Sequence, residues 1–351
     1  MAYTTIDDGS AHFQTATYTG NASTITITNS GNSDLQPDWV WLKARDITQP
    51  HTIRDSTRGT NKFLYISTAD EGTNTYLTSF NSDGFSMNAT DNEVNGNSNT
   101  YVAWQWKAGG GSRTTFTESG NNPGGGRQVN TTAGYSIIDY VGTGGNGTIA
   151  HGLGAIPKLV FVKNRDGGTN DSWFTHWTGL LGDNKVLYWN STDGAATNAS
   201  AFNSTAPTST NITVGTNSAT NTDGDNYIMY AFTDIKGYSD FGTYEGNGNA
   251  SGPFIYTGFK PAFIMLKSVD SAQVWSIRDS GREPTNPAKL AIYANESGVE
   301  SDHANNSVDL LSNGFKLRNP YSENVNNETF TYMAFAEHPF VSSKGVPTTA
   351  R

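Results

Sequence analysis

One motif occurs three times in this chain, and it limits the fold more than any other feature. Pro37-Asp38-Trp39-Val40-Trp41-Leu42-Lys43 resembles Pro157-Lys158-Leu159-Val160-Phe161-Val162-Lys163, and both resemble Pro261-Ala262-Phe263-Ile264-Met265-Leu266-Lys267. Each is a proline, an apolar run and a lysine, which reads as a strand buried on both faces. The flanks repeat in the same order. Tyr18-Thr19-Gly20, Tyr140-Val141-Gly142 and Tyr244-Glu245-Gly246 precede the motif. Ile53-Arg54-Asp55-Ser56 and Ile277-Arg278-Asp279-Ser280 follow it, with Thr175-His176-Trp177-Thr178 in their place in the middle copy. Phe63-Leu64-Tyr65-Ile66, Val186-Leu187-Tyr188-Trp189 and Leu290-Ala291-Ile292-Tyr293 come next, and Ser82-Asp83-Gly84-Phe85 then matches Ser312-Asn313-Gly314-Phe315. The closing strands are Tyr101–Trp106, Tyr227–Phe232 and Phe330–Phe335.

Copies of this length are too long for solenoid units and long enough to be domains. Short β-branched and aromatic runs separated by Asn/Gly/Asp turns predict an all-β fold of three tandem homologous β-sandwich or jelly-roll-like domains. The expected boundaries are 1–108, 134–234 and 235–340, with a polar, peripheral C-terminal tail over 341–351. The glycine-rich stretch 109–133 reads as a flexible linker that tethers the first domain loosely. The second and third domains join closely at Asp234-Ile235-Lys236-Gly237.

Composition agrees with this picture. Hydrophobic residues make up only 35% of the chain, but 17 Phe, 16 Tyr and 8 Trp supply rings that each bury roughly 150–250 Å². The net charge of −10 argues against a nucleic-acid surface, which needs clustered Lys and Arg, and against adhesion to anionic lipid by charge. The absence of cysteine suits assembly in a reducing cytoplasm. No signal-peptide pattern and no membrane-length apolar run are visible, so no membrane insertion is expected.

The residue types that carry chemistry are present, but without reactive pairing. Arg54-Asp55 and Arg278-Asp279, with His176-Trp177 in the middle copy, are the candidate binding residues. Adjacent strand residues point to opposite faces, so each Arg and Asp should pair with a different group and fix loops. Lys43, Lys163 and Lys267 stand at strand ends, where a lysine carries its head to water. Of His12, His51, His151, His176, His303 and His338, none has metal-ligand spacing, and His151 should cap a turn. Asp223-Gly224-Asp225-Asn226 offers oxygens that suit calcium but lacks the closing Glu of a twelve-residue loop, so it reads as a turn. Trp39 and Trp41 alternate on one strand face, as do Trp104 and Trp106, and are expected in the core. No catalytic residue, cofactor or metal is expected, and the chain does not read as an enzyme.

The run 142–154, the Lys163-Asn164-Arg165-Asp166 segment and the closing Tyr332-Met333-Ala334-Phe335-Ala336-Glu337-His338-Pro339-Phe340 resemble repeat domains of virion structural and tail-fibre-like proteins of marine tailed bacteriophages. The resemblance covers nearly the whole chain. It implies a virion-surface protein, assembled in the host cytoplasm, that contacts other virion proteins and a host-surface glycan or protein. It also implies a homo-oligomer, with a trimer favoured. A tail fibre or tail-associated adhesin is the leading expectation. A capsid decoration or head-fibre protein is second, and a glycan depolymerase third.

Overall fold

The computed structural model describes residues 3–67, 71–167, 172–302 and 306–348, and the structural statements that follow concern these residues. The fold is all-β, with multiple antiparallel sheets, one 3-10 turn at Gly9–Ala11 and one helical turn at Ser218–Asn221. His303 and residues 349–351 lie outside the described residues.

Three large sheets share one strand order. In the first, Phe13–Thr19 pairs with the closing strand Thr100–Trp106, which pairs with Trp39–Ala44, followed by Thr52–Asp55, Lys62–Tyr65 and Glu71–Thr73. The second runs Tyr135–Val141, Asn226–Phe232, Leu159–Asn164, Phe174–Trp177, Lys185–Tyr188 and Ala196–Thr197. The third runs Ser239–Glu245, Thr329–Pro339, Phe259–Ser268, Ser276–Asp279, Leu290–Tyr293 and Ser301–Asp302. Even the register agrees: Tyr18 faces Tyr101, Tyr140 faces Tyr227 and Tyr244 faces Phe330. The three ring pairs stack at 5.1, 4.9 and 5.1 Å.

Alternation along the central strand gives each large sheet two buried faces. Val40 and Leu42 point outward onto a small sheet of Thr24–Ile27, Phe85–Asn88 and Leu77–Phe80, where Ile27, Phe85 and Met87 meet them in a sandwich-like layer. Trp39 and Trp41 point the other way. The four tryptophans expected inside are all there, with Trp39, Trp41 and Trp104 at 0% exposure and Trp106 at 1%.

The inner faces of the three sheets pack on one another. Trp39 lies 4.4 Å from Trp106 of its own sheet and 4.8 Å from Tyr230 of the second. Trp41 meets Trp189 of the second sheet at 4.9 Å and Phe263 of the third at 6.4 Å, and Phe232 meets Phe335 at 5.8 Å. One buried cluster therefore draws on all three stretches. This cluster crosses the expected boundaries, while the outer clusters of the first and second stretches each stay within one stretch, and the first stretch is not loosely tethered.

The glycine-rich linker is also corrected. Thr114–Phe116 and Gly125–Asn130 are strands on the edge of the second sheet, and Gly125–Asn130 pairs with Tyr135–Val141 along its length. The glycines before them are held by one buried carboxylate. Asp38 accepts the amides of Ala108 at 2.7 Å, Gly110 at 2.8 Å and Gly111 at 3.0 Å. Gly110 and Gly111 have φ of 62° and 82°, a backbone that favours glycine, so these two positions are glycines where the chain wraps an anion. The tail folds back over the third stretch as far as Thr348, whose amide donates to Phe340.

Candidate functional site

The three stretches meet in three joints arranged cyclically: first on third, third on second, second on first. The same backbone bond closes each joint. Glu300 N–H donates to Arg45 O at 2.7 Å, Ala195 N–H to Val269 O at 2.7 Å, and Glu71 N–H to Arg165 O at 3.1 Å. A ring N–H also repeats at each joint. Trp173 donates to Tyr65 O and Trp275 to Tyr188 O, both at 2.9 Å. At the first joint this place is taken by His51, whose Nδ1 accepts from Trp41 at 2.8 Å, leaving Nε2–H to donate to Tyr293 O at 3.0 Å.

The candidate binding residues lie within this framework. Asp55 and Asp279 face the shared core. Asp55 pairs with Arg58 at 2.5 Å and accepts the hydroxyl of Tyr230 from the second stretch at 2.7 Å. Asp279 pairs with Arg282 at 2.5 Å and accepts from Trp104 of the first stretch at 3.0 Å. Trp177 occupies the matching place in the second sheet at 1% exposure. Arg54, His176 and Arg278 point to the outer face, as strand alternation requires. Arg54 lies 5.0 Å from the Phe63 ring and donates to Asn74 at 2.9 Å. Arg278 pairs with Glu323 at 3.1 Å and donates to Asn306 O at 2.8 Å. His176 sits 4.9 Å from Phe202, and burial pushes its pKa down to about 4 against the opposing pull of Asp183, so the ring is neutral at pH 7. All six are buried and they do not converge on one site.

The strand-end lysines depart from expectation. Lys43, Lys163 and Lys267 are buried. Lys43 donates to Ala44 O and reaches Ser297 O of the third stretch at 3.3 Å, while Lys267 donates to Thr192 O of the second stretch at 2.9 Å. The heads of Lys43 and Lys267 go to joints rather than to water, because the neighbouring stretch covers the strand end. His151 caps its turn as expected, its Nδ1 accepting the Leu153 amide at 3.2 Å. Asp223-Gly224-Asp225-Asn226 is a turn in which Asp225 accepts from Asn164 at 2.8 Å.

Accessible concavity lies elsewhere, on the third stretch. A cleft of about 680 Å³ is lined by Lys260, Glu283, Asn286, Asn313, Glu337 and His338 among others. A second hollow of about 280 Å³ shares Ser280, Glu337 and His338 with it and extends to Gln14 of the first stretch. The carboxylates of the cleft have work within the chain. Glu283 accepts the amides of Lys289 at 2.5 Å and Leu290 at 2.8 Å, and Glu337 pairs with Lys260 at 2.7 Å. Asn286 uses both ends of its amide on the Leu310 backbone, at 2.9 and 2.8 Å. Such a wall offers spare lone pairs and N–H groups to a polar ligand. It does not present two free carboxylates facing each other, as glycoside hydrolysis needs.

A family model for a domain of unknown function, DUF7483, matches residues 8–339. The chain belongs to that family. The matched span includes all three repeated stretches, so the family's unit is the assembled body rather than one copy of the motif. No curated protein matches the chain.

Sequence reasoning did not find the cleft, whose lining comes from strand ends and turns far apart in the chain. It also missed a buried asparagine in each stretch. Asn95, Asn221 and Asn324 each donate to two or more backbone carbonyls, and their side-chain oxygens accept the amides of Asn21, Thr143 and Asn247. Each lies six residues before the first residue of the closing motif, Tyr101, Tyr227 or Phe330, a spacing that would have revealed them.

Proposed function

We propose that this chain is a non-enzymatic binding and structural protein of a virion surface, tail-associated, that contacts the host by several weak interactions at once. The three stretches are tandem homologous units, closed into a ring within a single chain. Repetition on a particle then multiplies weak binding by roughly 10²–10⁴ without new contacts.

One observation carries this reading: the ionisable residues of the repeated motif are consumed in joints and cores, while the open cleft has internally paired carboxylates. A body built in this way positions surface groups without activating any of them. The phage assignment draws its support from the motifs at 142–154, 163–166 and 332–340.

Two measurements test it. Purified protein incubated with host polysaccharide should release no reducing ends above background; turnover would establish a depolymerase instead. Gold-labelled antibody should mark the tails of particles. Label on the head alone would favour the second reading, a capsid decoration protein, which the compact closed ring also suits. Unlabelled particles would end both readings.

A further inference from the structure

The outer sheet of the third stretch carries an aromatic pair that the fold does not require. Phe254–Tyr256 is an edge strand paired with Gly314–Leu317. Ile255 points in at 6% exposure, whereas Phe254 and Tyr256 point out at 45% and 56%. The equivalent strand of the first stretch has Ile27 opposite Phe85 where this one has Ile255 opposite Phe315. The flanking positions there are Thr26 and Thr28, and those around Ile149 in the second stretch are Thr148 and Ala150. Two of three otherwise matching strands do without the rings.

Tyr256 is held in place. Tyr256 shares a hydrogen bond of 3.1 Å with the hydroxyl of Tyr3, which donates to Gly258 O at 2.8 Å, and Lys236 Nζ stands 4.5 Å from the Tyr3 ring centre. Gly314 faces Tyr256 across the strands, and a side chain there would strike Ile255 O, so no neighbour covers that ring from the partner strand. The strip adjoins the polar cleft: the carbonyl of Asn313, on the cleft wall, takes the amides of Thr257 and Gly258 at 3.0 and 3.2 Å.

We propose that Phe254 and Tyr256 form a stacking strip for an uncharged polysaccharide, a proposal that rests on the binding function given above. Two outward rings at alternate strand positions stand roughly 7 Å apart and suit successive sugar rings. A pyranose lays its apolar face on an aromatic plane and turns its hydroxyl rim to polar neighbours, here the Tyr3 and Tyr256 hydroxyls and the cleft. The nearby cations are engaged: Lys236 on Tyr3, Lys316 with Gly252 O at 2.7 Å and Lys260 with Glu337. With a net charge of −10, the chain would repel a polyanion.

Affinity electrophoresis of the full chain in gels containing laminarin, dextran or alginate tests this. At least one neutral glucan should retard the wild type more than alginate does. The double variant Phe254→Thr/Tyr256→Thr, which copies the first stretch, should bind that glucan roughly tenfold or more weakly with an unchanged unfolding midpoint. Equal binding by the double variant would overturn the strip while leaving glycan binding intact. Retardation by alginate alone, or by no probe, would also overturn it. So would a wild-type dimer that the double variant dissolves, since the strip would then seat a second copy. Reducing ends released in the gel would instead overturn the non-enzymatic reading, separately from the strip.

Discussion

The joint between the first and third stretches and the joint between the third and second use the same backbone bond with opposite chemistry. At the former, Glu300 bridges Arg45 at 2.8 Å and Arg282 at 2.7 Å, and Asp279 is buried beneath Arg282. At the latter, the same places hold Val269, Ala195, Trp177 and Leu180, all packed in or against the shared core. The second-on-first joint is ionic like the first-on-third, with Glu71 between Arg58 at 3.3 Å and Arg165 at 2.8 Å. What all three keep is the edge backbone bond, the ring N–H on a carbonyl and the aromatic core. The ion clusters are thus one solution to filling the joint and not its cause. This matches the general finding that apolar residues can replace buried ion pairs without loss.

The largest effect should come from what the joints share. Trp39→Ala removes a fully buried ring that touches the first and second sheets, and should cost roughly 3–5 kcal/mol in urea unfolding. A loss under about 1 kcal/mol would mean that the inner faces are not tightly packed.

Next comes a test that separates the joints. Glu300→Gln leaves the buried Arg282 short of a charge partner and should cost about 1–3 kcal/mol. Grafting the ionic pair into the apolar joint, as Val269→Arg/Ala195→Glu, should change stability by less than about 1 kcal/mol, since a partly exposed pair gains little. Equal losses in the two experiments would remove the distinction between the joints.

Acid should distinguish them too. Burial would raise the pKa values of Glu71 and Glu300, but hydrogen bonds from Arg165 and Arg45, with the charges of Arg58 and Arg282, outweigh it and hold both below the usual range. Folded values below unfolded ones give stability that is present above about pH 4.3 and lost as pH falls through the folded values. Unfolding midpoints from pH 7 to 3 should therefore fall less steeply in Glu71→Gln than in the wild type. Parallel curves would contradict this.

A further test concerns a feature common to both kinds of joint. Burial pushes Lys43 and Lys267 down to about 8, although nearby carboxylates pull the other way. A lowered folded value penalises the charged form, so the wild type should gain stability as pH rises from 8 towards the unfolded value of roughly 10.4. Lys43→Met and Lys267→Met should each flatten that rise by a similar amount, measured by thermal unfolding. A change in Lys43→Met alone would tie the effect to the ionic joint, and a change in Lys267→Met alone to the apolar one.

Much of the molecule was legible in its sequence, and the failures share a cause. The repeat blocks located the strands and the all-β class, and the structure then shows Tyr18, Tyr140 and Tyr244 on the same rung of each sheet. Alternation placed Trp39 and Trp41 on one buried face and set Arg54 opposite Asp55. It could not say whether that face met its own unit or two others, since a strand pattern reports burial and not the identity of the covering surface. The lysines were misread for the same reason: Lys43 ends its strand under Ser297, 254 residues away. The 109–133 segment looked unstructured because its anchor, Asp38, lies 72 residues before Gly110, just ahead of the Trp39–Ala44 strand. The candidate site was least legible, because the cleft is built from strand ends and turns far apart in the chain, and the Phe254–Tyr256 strip occupies positions at which otherwise matching strands of the repeat differ.

The claim beneath all of this is that the three stretches fold as one cooperative ring. Calorimetric unfolding of the intact chain tests it most directly. One transition is expected, with calorimetric and van't Hoff enthalpies that agree for the whole chain. Two or three separable transitions, each near the enthalpy of a hundred-residue domain, would contradict it.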